Sequence, residues 1–223
     1  MVMDADRQLM DRVGIPKMRG WLHASVFPLV LLGGVTLVML GESLLARMGD
    51  AVYLVVSAEL FGVSAVYHIG RWKAHVKGIL KRLDHANIYL LIAGTYTPIA
   101  LLAMHGDSRI AILILAWSGA LAGVVFRVFW VNAPRVLYTM LYIALGWAAL
   151  FFIPQMVRGA GLAAFSLIIL GGLFYSVGGV MYALKKPNIS PKWFGFHEMF
   201  HTCTILAYIS QYVAISMITY RFS

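Results

Sequence analysis

Two histidines four residues apart, His197 and His201, stand near the start of the last apolar run of this 223-residue chain. On a helix that spacing stacks both imidazoles on one face, about 6 Å apart along the axis, so both can reach one metal ion. Ser64 and His68 repeat the spacing near the end of the second apolar run, and Asp84 and His85 open the third. Three neutral imidazoles, from His68, His197 and His201, with a fourth position left open make a catalytic zinc pattern. Zinc lowers the pKa of a coordinated water towards 7. Asp84 is then the candidate proton acceptor. Ser64, one turn before His68, is placed to orient that water or to donate to a developing oxyanion.

His197-Glu198-Met199-Phe200-His201 also spells H-E-x-x-H, the zinc-metalloprotease signature. A protease of this kind normally takes its third ligand downstream, and after His201 the chain has no His, Asp or Glu. The third ligand must therefore come from upstream, as His68 does. Glu198 then reads as a boundary residue or a supporting acceptor rather than the general base. An intramembrane metalloprotease remains the alternative.

The elements that must hold these groups are membrane spans. The chain is 61% hydrophobic and 12% charged, against about 25% charge in a soluble domain. A spanning helix needs about 20 mostly apolar residues. Seven runs qualify: 21–41, 51–70, 83–104, 109–127, 136–154, 161–183 and 192–220. The spacing predicts an all-α, seven-transmembrane-helix bundle over 21–223, preceded by a short tail at 1–20 that lacks the apolar core of a secretory signal. Lys185-Lys186-Pro187 stops the sixth helix, and Ser190-Pro191 reads as an N-cap and first helical residue of the seventh. Pro28 and Pro98 are expected to kink the first and third helices. Gly119 and Gly123 make a small-xxx-small stripe for close helix packing. The single Cys203 excludes an intramolecular disulfide.

The net charge of +9 does not point to nucleic acid, because Lys and Arg lie in short loops between apolar runs. Fourteen of the 18 fall on the side of the N-terminus and four on the other. This bias places the N-terminus in the cytoplasm and the C-terminus outside, in a multi-pass inner (plasma) membrane protein. With that topology, positions 68, 84, 197 and 201 come to one depth near the cytoplasmic boundary. Each histidine alone is equally compatible with hydrogen-bonded packing; their convergence favours a shared metal.

Other polar residues have blander readings. His23 is a supporting partner or an interfacial histidine. His85 points about 100° away from Asp84 on its helix. His75 and His105 are read as solvated loop residues. Glu59, nine residues before His68, is read as a buried partner for another helix.

The segments Arg19-Gly-Trp-Leu-His23, Ser64-Ala-Val-Tyr-His68, Arg82-Leu-Asp-His85, Ala93-Gly-Thr-Tyr-Thr-Pro98, Gly146-Trp147 and Gly195-Phe-His-Glu-Met-Phe-His201 together resemble the hemolysin III family. That family is related to the progestin and adiponectin receptors and, more distantly, to alkaline ceramidases. The resemblance covers nearly the whole chain and implies Zn2+ on His68, His197 and His201, with Asp84 and Ser64 beside the zinc-bound water. It departs at Gln211, where family members often carry a further histidine. The expected activity is zinc-dependent hydrolysis of a lipid amide or ester in membrane homeostasis, with membrane lipids as partners. The alternatives are a non-enzymatic sensor or receptor-like regulator with a structural zinc, and a pore-forming cytolysin.

Overall fold

The computed structural model describes residues 16–190 and 192–222. Its helices are α1 (Trp21–Leu40), α2 (Leu44–Ile69), α3 (Ala74–Ala103), α4 (Gly106–Phe129), α5 (Arg135–Gly146), α6 (Ile153–Ala160), α7 (Leu162–Leu184) and α8 (Phe196–Phe222). A 3-10 stretch, Trp147–Phe152, joins α5 to α6, and the three pieces form one span. Seven spans result, each long and apolar enough to cross a bilayer. Their outer faces carry side chains such as Met39 and Phe129, 74% and 84% exposed. A surface this apolar all round is that of a protein solvated by lipid.

α3 is the central helix: 78% of its most apolar stretch is buried, against 22% for α1. Small residues on α3 and on its neighbour α2 let the two helices approach. A Cβ on Gly94 would lie 2.3 Å from Val56 of α2, and one on Gly49 would lie 2.9 Å from the Pro98 Cα. α1 and α3 stay helical through Pro28 and Pro98 rather than ending there. The Gly119/Gly123 stripe packs α4 inward: a Cβ on Gly123 would lie 2.3 Å from the Tyr89 ring of α3, and one on Gly119 would lie 2.6 Å from Leu145 of α5. A Gly123→Leu chain is expected to unfold several degrees below wild type or to fail to accumulate, measured as a thermal midpoint in detergent. An unchanged midpoint would contradict this packing.

The break in the fifth span is stitched by one phenol. The Tyr96 hydroxyl donates to the Gly146 carbonyl and accepts from Ala149 N–H at 3.1 Å. Backbone groups released by the 3-10 turn thus find a partner inside the bundle, as they must where water is excluded. Trp147 Nε1–H donates to Ser176 Oγ of α7 at 2.8 Å. The segments holding Tyr96 and Gly146 are therefore two halves of one joint.

Several boundaries differ from the sequence reading. α2 starts at Leu44 rather than 51, capped by Ser43, whose Oγ accepts from Ala46 N–H at 3.1 Å. α3 starts at Ala74 rather than 83, so it includes His75, Lys77, Lys81 and Arg82; His75 is an exposed helix residue, not a loop one. α8 starts at Phe196 rather than 192. Ser190 does not cap it: Ser190 pairs with Phe194 through two backbone hydrogen bonds, and Pro191 lies outside the described residues. Glu59 is exposed on the outer face of α2, not buried against another helix. Its position roughly opposite His68 turns it away from the bundle interior.

Candidate metal centre

α2, α3 and α8 meet at the end of the bundle where the 70–73 and 185–195 loops lie. There the ligand atoms of His68, His197 and His201 all fall within 4.8 Å of one another. The Nε2 atoms of His68 and His197 are 3.2 Å apart. Two imidazole nitrogens bound to one tetrahedral zinc stand about 3.3 Å apart, given Zn–N of about 2.0–2.1 Å. His201 Nδ1 is buried with no hydrogen-bond partner among the described residues. Three imidazoles whose ligand atoms converge this closely fit a metal ion.

Asp84 Oδ2 lies 3.8 Å from His68 Nε2, and Ser64 is a side-chain hydrogen-bond partner of Asp84. The Asp84 and His68 side chains retain only 13% and 8% exposure. The five residues singled out for chemistry thus occupy one neighbourhood. His85 does not join them. Its Nδ1 is 2.6 Å from Arg127 Nη2, and the Arg127 guanidinium lies over the Tyr138 ring at 4.3 Å. His23 does join: its ring stacks on that of His201 at 3.9 Å with planes 6° apart. Of its two sequence readings, the supporting partner describes it.

Two features lie behind the ligands, the packing of Gly20 and the contacts of Glu198, whose reading as a supporting acceptor the structure matches. Gly20, at φ 84°, packs on α2 so closely that a Cβ would come within 2.8 Å of the His68 Cβ. The Arg19-Gly20 segment therefore backs His68 directly. Glu198 is fully buried, and both its oxygens are taken: Oε1 by Arg19 Nε at 2.8 Å and Oε2 by Gly195 N–H at 2.8 Å. The second bond is half of a capping box, the third helical residue reaching back to the N-cap amide. The first ties the N-terminal segment to the helix bearing His197 and His201. The E of H-E-x-x-H is thus held by Arg19 and Gly195, which counts against its serving as the general base of a protease. Glu198→Gln is expected to leave metal stoichiometry unchanged and to lower stability. If it acted as a general base, its loss would instead cost about 10²–10⁴ in rate without unfolding the chain.

Inward from the cluster runs a cavity of about 110 Å³. It is lined by Ser64, Asp84, His197 and His201 at one end and by apolar side chains such as Leu91, Ile99, Ile168 and Phe200 beyond. It extends to Gln211, ten residues past His201 and about 15 Å further along α8. At the position of the departure noted above, Gln211 donates through Nε2 to the Ile168 carbonyl at 3.0 Å, fastening α8 to α7.

The fold and site together define a multi-pass membrane protein with a largely buried three-histidine cluster able to hold a metal ion. The family described as Haemolysin-III related matches residues 14–212, and the chain belongs to that family. It is 38% identical over 148 residues to the Hemolysin-3 homolog of Bacillus subtilis (strain 168), covering 63% of this chain and 69% of that one. It is 36% identical over 111 residues to Hemolysin-3 of Bacillus cereus, covering 50% and 51%. It is also 26% identical over 195 residues to the human monocyte to macrophage differentiation factor, covering 82% and 79%. The bacterial relatives point to the plasma membrane.

Proposed function

We propose that the protein is a zinc-dependent hydrolase of a lipid amide or ester, acting at the membrane face nearer the histidine cluster. By the charge bias this face is the cytoplasmic one. The reading is carried by one observation: two of the three converging imidazoles, His197 and His201, line the same apolar cavity as the Asp84 carboxyl and the Ser64 hydroxyl. Zinc, when bound, would supply Lewis acidity towards a carbonyl and acidify water. Asp84 takes the proton from the attacking water and returns it to the departing nitrogen or oxygen. Ser64, hydrogen-bonded to Asp84, holds that carboxyl in place. The apolar wall beyond accepts hydrocarbon and excludes bulk water, and Gly20 and the Arg19–Glu198 pair keep α2 and α8 in register.

A second reading rests on the short reach from Asp84 to His68, 3.8 Å. If Asp84 completes the coordination, the metal is structural and the protein a regulator that senses its membrane. Purified zinc-loaded protein incubated with a panel of ceramides, N-acyl amines and lysophospholipid esters separates the two. The hydrolase reading expects release of free fatty acid from at least one of them, abolished in His68→Ala. Full zinc occupancy with no release across the panel would overturn it.

A further inference from the structure

The cavity does not end the polar interior of the bundle. Asp50, on α2, is fully buried, and among the described residues no Lys, Arg or His nitrogen lies within 4 Å of it. Thr219 of α8 donates to its two oxygens at 3.1 and 3.2 Å. A carboxyl inside a span is costly and marks an ion or proton pathway by default. It lies 18 residues from His68 on the same helix, about 27 Å along the axis, near the far end of the protein.

Between them runs a seam of hydroxyl groups. Tyr53, one turn from Asp50, stacks on Tyr208 of α8 at 5.6 Å. The hydroxyls of Tyr53, Ser57 and Tyr208 face one another, and Tyr175 and Gln211 continue the seam into the cavity wall. Tyr175 Oη and Gln211 Oε1 are buried without a direct partner among the described residues. Such atoms are unusual in a native interior. Groups of this kind, close but not in contact, are what internal water bridges.

We propose that Asp50, Tyr53, Ser57, Tyr208 and Tyr175 form a hydrated proton relay joining the cavity to the opposite face of the membrane. Each hydroxyl or water accepts a proton on an oxygen lone pair and passes its own to the next oxygen. The Asp50 carboxylate takes the last proton, becoming the acid, and releases it to water beyond. No bond other than O–H changes and no redox partner is needed. The route gives the site proton exchange with the aqueous side that it does not itself face. It stands independently of the hydrolase reading, because it requires no substrate.

The test uses full-length protein reconstituted in vesicles of phosphatidylcholine and phosphatidylglycerol, with pyranine inside and valinomycin with potassium to clamp the potential. After an external pH step, wild type is expected to equilibrate faster than protein-free vesicles. Asp50→Asn and Tyr53→Phe are each expected to fall to the protein-free rate with metal content unchanged. If Asp50→Asn does not fold, Tyr53→Phe, which loses one oxygen, decides. Wild-type flux equal to protein-free vesicles, or folded variants as fast as wild type, would overturn the relay. Because no lipid substrate is hydrolysed in the assay, a failed hydrolase reading leaves this result unaffected.

Discussion

Replacing Asp84 by Asn is expected to leave metal content at the wild-type level while lowering lipid hydrolysis by about 10²–10⁴-fold, the usual cost of losing a positioned acid–base group. The expectation follows from geometry. Asp84 reaches His68 Nε2 at 3.8 Å and is held by Ser64, while three imidazoles suffice to bind the ion. The measurement is kcat beside metal analysis of the same preparation. Should Asn at position 84 lose the metal and the activity together, Asp84 is a ligand, and the structural-metal reading gains.

His197→Ala is expected to lose the metal outright, from about one zinc per chain, since two imidazoles and water make a poor zinc site. A metal that binds only the folded state stabilises it by mass action. A chelator should therefore lower the thermal midpoint of wild type and leave that of His197→Ala unmoved. Equal zinc content in the two chains, or a variant still shifted by chelator, would remove His197 from the site. The fold should survive, because the α8 start is anchored by Glu198 to Arg19 and Gly195 and not by His197.

Much of this architecture was legible in the sequence because bilayers impose a simple code. Seven apolar runs correspond to seven spans, and the alternating direction of those spans brings His68, Asp84, His197 and His201 towards one layer. The errors share a cause: hydropathy reports where lipid begins, not where a helix begins. α3 carries Lys77, Lys81 and Arg82 within its helix, so an apolar window starts nine residues late. On α2 the apolar window likewise starts late, at 51 rather than Leu44, and so leaves the buried Asp50 just outside the span. Glu59 was misjudged in the opposite sense, since depth along a helix says nothing about which face a residue takes. The partners of Gly20 and of Glu198, the latter read only as a supporting acceptor, were hidden for another reason. Their roles are contacts between remote segments, with the His68 backing and with Arg19, and a local pattern such as H-E-x-x-H suggests chemistry that the long-range partner excludes.

The central claim is that imidazoles from α2 and α8 share one ion. X-ray absorption at the zinc edge of purified, zinc-loaded protein tests it most directly. The account expects about three imidazole nitrogens and one oxygen at about 2.0–2.2 Å, with the imidazole multiple-scattering signal falling in His68→Ala. A zinc environment of oxygen alone, or one unchanged by losing His68, would contradict it.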